Sequence, residues 1–227
     1  ISGHWGYAVE FYNSSINQVK DLNIQVTGNQ SYGVYVNGNT TNIADSTISS
    51  KYVGIALSNS NSAVISDSNI FVTDDEGAGI YVLGEAYDNN IIRLYISANA
   101  DAVRFDNQAH DNNILDSNII TTQNNRSAVL INGSANNLIK SSNLIASGDT
   151  SYAISFLNNG NTNYIQDSNL FALGNNNGCV VYIGDSSNNV FENSFFTSPQ
   201  TDSTLIQILN SNTNIFEKNI FDANNLP

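Results

Sequence analysis

The chain has 227 residues, of which 41% are apolar but only 12% are charged, about half of the usual charged share. Its 20 acidic and 7 basic residues give a formal net charge of −13. Because this balance repels phosphate backbones and anionic lipid headgroups, we expect neither nucleic acid nor a membrane surface as a partner. No apolar run approaches the ~20 residues that a membrane span needs. A single cysteine, Cys179, lies in an apolar run and excludes an internal disulfide.

A four-residue pattern of alternating apolar positions recurs along the chain, beginning at residues 8–11. A small or apolar residue comes first, and apolar residues then occupy the second and fourth positions. Alternation with a period of two over such short runs is typical of half-buried strands. The later copies lie at residues 33–36, 54–57, 79–82, 102–105, 128–131, 153–156, 180–183 and 205–208.

A second pattern lies between these copies and is represented by residues 112–119. It has Asn at the first position, an apolar residue at the third, Ser or Asn at the sixth and an apolar residue at the last. Successive closing residues are 22 to 26 residues apart, and such a nearly fixed period indicates a repeat architecture. The closing residues are Ile24, Ile48, Ile70, Ile96, Ile119, Leu144, Leu170, Phe196 and Phe221.

Each unit therefore contains short strands joined by polar turns, without a helix, which excludes a βαβ sheet. Stacking equivalent strands at about 4.8 Å per rung pairs their backbones and places equivalent side chains in columns. We predict an all-β parallel β-helix (β-solenoid) of about nine rungs of 22–26 residues, forming one domain over residues 1–227. Three inward columns are expected, from Val34 to Ile206, from Val36 to Ile208 and from Ile24 to Phe221.

Asparagine recurs at the position two residues before the first apolar residue of the second pattern. Stacked side-chain amides can hydrogen-bond to one another and to turn backbone, so we interpret this column as structural, with ligand contact as the alternative. Gly33, Gly54 and Gly79 are interpreted as room for a tight turn. The asparagines of the ladder are Asn89, Asn112, Asn137, Asn163, Asn189 and Asn214.

The repeat resembles those of the right-handed parallel β-helix families, the pectate-lyase-like superfamily, over essentially the whole chain. The resemblance implies a right-handed coil and is closest in character to repeat-built surface proteins, but a fold does not select among activities. The sequence lacks the Asn-Thr-Asp and Gly-His-Gly motifs of polygalacturonases and the Asp-Pro-His motif of alginate epimerases. We therefore predict no catalytic residues and no enzymatic activity.

One outward column of the alternating strands carries tyrosines and charged residues. Exposed tyrosine rings can stack on sugars or on another protein, and plain β-propensity is the alternative explanation. Arg104 and Asp106 point outward from one strand and form either part of this face or a solvated ion pair. The predicted contact face consists of Tyr35, Tyr81, Arg104, Asp106 and Tyr182. Further charged residues of the same two rungs are Arg93, Asp101, His110 and Asp111.

No cofactor or metal ion is expected. The alternative is Ca²⁺ held by the carboxylates of Asp74, Asp75 and Glu76, which follow one another in a predicted turn, because Ca²⁺ prefers oxygen ligands.

The repeat begins near the first residue and still runs near the last, without an amphipathic helix to cap it. The chain also opens on Ile1 rather than on Met, so we expect a piece of a longer protein or assembly. We predict a non-catalytic extracellular structural or adhesive solenoid of a cell-surface layer, sheath, filament or adhesin. Its expected partners are further copies of itself or other surface proteins. The alternatives are a polysaccharide-binding or polysaccharide-degrading module and a phage fibre segment.

Overall fold

The computed structural model describes residues 5–200 and 202–223, and these residues form 25 β-strands. The strands, in chain order, are β1 (Trp5–Lys20), β2 (Asn23–Val26), β3 (Gln30–Ala44), β4 (Thr47–Ser50), β5 (Val53–Ser58), β6 (Val64–Ser66), β7 (Asn69–Val72), β8 (Ala78–Leu83), β9 (Asn90–Ile92), β10 (Tyr95–Ala98), β11 (Asp101–Asp106), β12 (Asn113–Leu115), β13 (Asn118–Thr121), β14 (Ser127–Asn132), β15 (Leu138–Lys140), β16 (Asn143–Ala146), β17 (Tyr152–Leu157), β18 (Tyr164–Gln166), β19 (Asn169–Ala172), β20 (Cys179–Gly184), β21 (Val190–Glu192), β22 (Phe195–Thr197), β23 (Thr204–Leu209), β24 (Ile215–Glu217) and β25 (Ile220–Asp222). Nothing in the described ranges resembles a membrane-spanning helix in length and apolar character.

The strands wind into a solenoid with three faces. The first face stacks β1, β3, β5, β8, β11, β14, β17, β20 and β23, and the second stacks the ends of β1 and β3 with β6, β9, β12, β15, β18, β21 and β24. The third face is a separate nine-stranded sheet of β2, β4, β7, β10, β13, β16, β19, β22 and β25. These nine strands mark nine turns, as predicted. In the first two turns a single long strand, β1 or β3, serves both the first and the second face, where the sequence predicts two short ones.

The register confirms all three predicted inward columns. Val34 pairs with Ile55, and Val129 with Ile154, along the first column. The second column includes the Phe105–Ile131 pair, and the third runs through the pair of Ile24 with Ile48 and that of Phe196 with Phe221. A fourth column, from Val19 through Ile91 to Phe216, fills the core from the second face. The sequence shows its members as the first apolar residues of the second pattern.

The prediction of a tight turn at Gly33, Gly54 and Gly79 is wrong. All three lie inside strands of the first face. A Cβ at Gly54 would come within 2.5 Å of both Ile70 Cγ2 and the Gly79 carbonyl oxygen. The space between the first and third faces is therefore too small for a side chain there, and glycine serves close packing rather than turn geometry.

The six asparagines of the predicted ladder lie in one column at the corner that leads into the second face. The side-chain amide of each of the first five donates to Oδ1 of the next asparagine, and that oxygen also accepts the backbone N–H of the preceding one. The amide-to-Oδ1 distances are 2.9 Å for Asn89–Asn112, 3.1 Å for Asn112–Asn137, 3.0 Å for Asn137–Asn163, 3.0 Å for Asn163–Asn189 and 3.2 Å for Asn189–Asn214. The column thus supplies partners for backbone donors at a corner where strand pairing stops.

At the corner between the second and third faces, a residue with a left-handed backbone conformation is followed by a serine. Asp116, for example, has φ 51°, and the next residue, Ser117, donates its hydroxyl to the Leu115 carbonyl at 2.8 Å. Its backbone N–H donates to the hydroxyl of Ser142 at 3.1 Å, which forms a second hydrogen-bonded column. Leu94 occupies the serine position in its own rung and therefore interrupts this column.

The inward and outward sides of β14 differ sharply in their tolerance of charge. The Val129 side chain is 0% exposed, whereas the neighbouring Leu130 points outward and is half-buried. We expect Val129→Asp to abolish folding, because an unpaired buried carboxylate costs several kcal/mol, and Leu130→Asp to be tolerated. Far-ultraviolet circular dichroism during thermal unfolding checks this. Equal loss of stability in both variants would contradict the register.

Candidate functional site

The outer side of the first face carries a groove made of two pockets that share Arg104. One outward column contains the predicted residues Tyr35, Tyr81, Arg104 and Tyr182, and the last three of these line the groove. A second column, at the strand starts, lies deeper and contains Asp101. The turns that precede the strands line the opposite edge of the groove. The other members of the deeper column include Ser127, Tyr152 and Cys179.

The structure brings Tyr81, Arg104 and Asp106 into direct contact. Asp106 Oδ2 accepts the Tyr81 hydroxyl at 2.9 Å and contacts the Arg104 guanidinium at 2.6 Å. Asp106 Oδ1 accepts the Asn132 amide at 2.9 Å. The Arg104 guanidinium also lies over the Tyr81 ring, 5.3 Å from its centroid. Both carboxylate oxygens are thus occupied, and the network fixes the positions of the ring and of the guanidinium.

This network differs from a freely solvated ion pair. The Asp106 residue is only 3% exposed, so its carboxylate depends on its three partners for solvation. Burial, with the Asp106 carboxylate beside the phenol, raises the pKa of Tyr81 to about 12. The phenol therefore stays protonated at neutral pH and remains a hydrogen-bond donor to Asp106.

A pocket of about 310 Å³ lies beside this network. Its floor is polar, because Asp101 lines it at 4% exposure and the hydroxyls of Ser127 and Ser155 hydrogen-bond to each other at 2.7 Å. Tyr152 and Tyr182 flank the pocket, with ring centroids 5.4 Å apart. Such a combination of a few buried polar groups with aromatic walls is typical of small-molecule sites.

Asp101 is the most perturbed carboxyl of the groove. One of its oxygens accepts the Ser127 backbone N–H at 2.8 Å, and the other has no hydrogen-bond partner within the described ranges. Burial raises the pKa of the Asp101 carboxyl above its ordinary value, although the Ser127 hydrogen bond and the charges of Arg104 and Arg126 oppose the shift. A buried carboxyl with a perturbed pKa that lines a pocket is a candidate functional group.

Two of the chain's three arginines, Arg104 and Arg126, line this same pocket. Unlike Arg104, the Arg126 guanidinium forms no ion pair and no hydrogen bond with any residue that the structure describes. Its positive charge opposes the rise in the pKa of the Asp101 carboxyl. The pocket therefore offers a free donor group at one side and a free acceptor oxygen on its floor.

Further tyrosines lie on the first face toward the first rungs. A second pocket of about 250 Å³ is lined by Tyr52, Glu76 and Tyr81, and Arg104 lines both pockets. Toward the first rungs, Tyr35 packs on Tyr7, with centroids 4.8 Å apart, and Tyr32 packs on Tyr52, at 5.9 Å. Tyr7, Tyr32 and Tyr52 are absent from the predicted contact face. For Tyr7 and Tyr32, the sequence signal is a second periodic position three residues before the outward one.

The remaining charged residues predicted near Arg104 lie outside the groove. Arg93 forms a bidentate ion pair with Asp67 at the corner between the second and third faces, with both N–O distances 2.7 Å. His110 stacks on Tyr87 at the corner between the first and second faces and lies 2.7 Å from Asp111. The expected crowding of charges therefore applies to Asp101, Arg104 and Asp106 alone.

The acidic turn at residues 74–76, the alternative calcium site, contains a local hydrogen bond. Asp74 Oδ1 accepts the backbone N–H of Glu76 at 3.0 Å. Over residues 5–200 and 202–223, no three His, Cys, Asp or Glu side chains converge as metal ligands. Burial raises the pKa of the Cys179 thiol to about 12, which makes the thiol unreactive at neutral pH.

Comparison with known proteins identifies the class. The family described as the right handed beta helix region matches residues 1–145. The chain therefore belongs to the right-handed β-helix family, and both the predicted fold and the predicted resemblance are confirmed.

Solved structures with the same fold are distant in sequence. The A-module of the Azotobacter vinelandii mannuronan C-5 epimerase AlgE6 is 9% identical, with a TM-score of 0.56 over 92% of this chain and 65% of that one. DFA-IIIase from Arthrobacter chlorophenolicus A6 is 11% identical, with a TM-score of 0.51 over 85% of this chain and 60% of that one. The chain thus spans less than two thirds of either protein, and the similarity establishes the fold alone. No curated protein sequence matches the chain.

The raised pKa of Asp101 makes a prediction about stability. The pKa of the Asp101 carboxyl is higher in the folded chain than in the unfolded chain, so ionisation of this carboxyl disfavours the fold. The free energy of unfolding therefore falls as the pH rises from the unfolded-state pKa to the native one. We expect Asp101→Asn to raise the melting temperature at neutral pH, because the amide keeps the Ser127 hydrogen bond without the buried charge. The gain should vanish in acid, below the ordinary pKa of an aspartate.

Thermal unfolding across a pH series measures this effect. Asp167→Asn is the matched control, because that side chain is 40% exposed and lies outside the groove. A lower melting temperature for Asp101→Asn at neutral pH would show that the ionised carboxylate stabilises the fold.

Proposed function

We propose that the chain binds a glycan along the groove of the first face. The observation that carries this proposal is the pocket in which Asp101, Ser127 and Ser155 form a buried polar floor between two tyrosines and a free arginine. Pyranose rings have apolar faces and hydroxyl-bearing edges. Tyrosine rings complement the faces, whereas carboxylate, hydroxyl and guanidinium groups complement the edges.

The length of the groove supports an oligosaccharide rather than a single sugar. Tyr81 and Tyr182, which line its two pockets, lie four rungs apart in one column, which corresponds to about 19 Å at ~4.8 Å per rung. One rung is also close to the length of one pyranose residue in an extended chain. Successive sugars can therefore meet successive rungs without a change in the direction of the ligand.

Binding is favoured over glycoside hydrolysis by the engagement of Asp106. Glycoside hydrolysis needs two carboxyl groups that can both act on the ligand. Asp106 is fully engaged with Tyr81, Arg104 and Asn132, so it is not free to act on a ligand beside Asp101.

Glycan binding corresponds to the alternative function that the sequence leaves open. The extracellular location, the role as a structural or adhesive module and self-association stay predictions. A groove that binds glycans is compatible with an adhesive module, in which the solenoid displays the binding surface.

Replacing one tyrosine on each of two faces tests the proposal. We expect the chain to retain at least one class of oligosaccharide on a glycan array. Calorimetry on a retained glycan should show about tenfold weaker binding for Tyr182→Ala, equivalent to ~1.4 kcal/mol, because the aromatic wall of the pocket is lost.

Tyr164→Ala is the matched control, since this ring is 53% exposed on the second face, outside the groove. Its affinity should equal that of the unmodified chain. An array without any retained glycan, or an equal loss in both variants, would refute binding in the groove.

A further inference from the structure

The charges around the Asp101 pocket are balanced. Two arginines, Arg104 and Arg126, and the carboxyl Asp101 line it, and Asp106 is the ion-pair partner of Arg104. These four groups carry two positive and two negative formal charges: Arg104 pairs directly with Asp106, and both arginines act electrostatically on Asp101. The pocket thus has no surplus positive charge for a ligand, and Glu76 adds a further negative charge in the adjoining pocket.

Asp101 occupies a position where a second carboxylate would be strongly disfavoured. It is 4% exposed, and charges interact more strongly in such a poorly solvated environment than in water. Its Ser127 hydrogen bond satisfies one oxygen, which leaves the other as an acceptor. A sugar hydroxyl can donate to that oxygen, whereas a sugar carboxylate can only repel it.

The charge of the whole chain acts in the same direction. Its net charge of −13 repels an approaching polyanion over the distance of a Debye length, about 8–10 Å at physiological salt. A neutral glycan experiences no such repulsion. Local and global electrostatics therefore both oppose an acidic ligand, despite the presence of two arginines in the groove.

We infer that the pocket accepts a neutral, hydroxyl-bearing sugar residue and that Asp101 is the residue that sets this preference over acidic sugars. In this arrangement Asp101 accepts a hydrogen bond from one hydroxyl, and Arg126 donates to the oxygen of a neighbouring one. The inference builds on the proposed glycan binding and goes beyond it by naming the class of glycan. It assigns Asp101 a role in recognition, without any covalent step.

Pairs of oligosaccharides that differ only at C6 test the inference. Neutral oligomers of glucose, mannose and galactose are compared by calorimetry at neutral pH with the same oligomers carrying a C6 carboxylate. We expect the unmodified chain to bind at least one neutral member about tenfold or more tightly than its acidic counterpart. For Asp101→Asn, we expect about tenfold weaker binding of the neutral member and a smaller difference within the pair.

Asp167→Asn removes the same amount of charge from an exposed site outside the groove and should leave the preference unchanged. An identical change in the two variants would overturn the role of Asp101, because net charge alone would then explain the preference. Tighter binding of the acidic member by the unmodified chain would overturn the inference but leave glycan binding intact. An absence of binding to every oligosaccharide would overturn both.

Discussion

Every rung of this solenoid must pair its backbone with the rungs above and below, and most other features of the molecule depend on that constraint. Parallel pairing at about 4.8 Å places each side chain directly over its equivalent one repeat away. Inward positions must then hold residues that pack on copies of themselves, which aliphatic and phenylalanine side chains do. Stacked polar groups can satisfy one another in buried positions, as Asn112, Asn137 and Asn163 do in their ladder.

The same constraint leaves the outer side of the first face free to carry the groups of the proposed binding groove. Outward side chains are free to differ between rungs, because they need not fill a shared core. On the first face this freedom places tyrosines along a groove and puts Arg104, Asp101 and Arg126 near its centre. Asp101 is a departure from the repeat, and a buried carboxyl that lines a pocket is a candidate functional group.

Much of the fold is predictable because two periods coincide in the sequence. Period-two alternation assigns Val129 inward and Leu130 outward, and the repeat length places Val129 next to Ile154. The contact between Arg104 and Asp106 follows from the same alternation, since both residues lie on the outward side of β11. Packing between faces is not visible in this pattern, which explains the wrong interpretation of Gly54.

The deeper half of the groove is hidden from the sequence by an irregularity at the strand starts. Simple alternation from Val103 places Asp101 inward. In the structure the pairing of β11 with β8 passes from Asp101 directly to Val103 and leaves out Ala102, which is fully buried. Asp101 and Arg104 therefore line the same pocket. The rings of Tyr32 and Tyr152 occupy the same strand-start position. Groove residues that lie three positions apart in one strand, as Asp101 and Arg104 do, therefore mark this site.

The most direct test of the account is a crystal structure of the chain with a bound neutral oligosaccharide. We expect sugar density along the first face, with one residue stacked on Tyr182 and hydrogen-bonded to the free oxygen of Asp101 and to Arg126. The ligand should run parallel to the stack, over successive rungs. Density confined to the second or third face, or a groove without any ordered sugar at saturating concentration, would contradict the account.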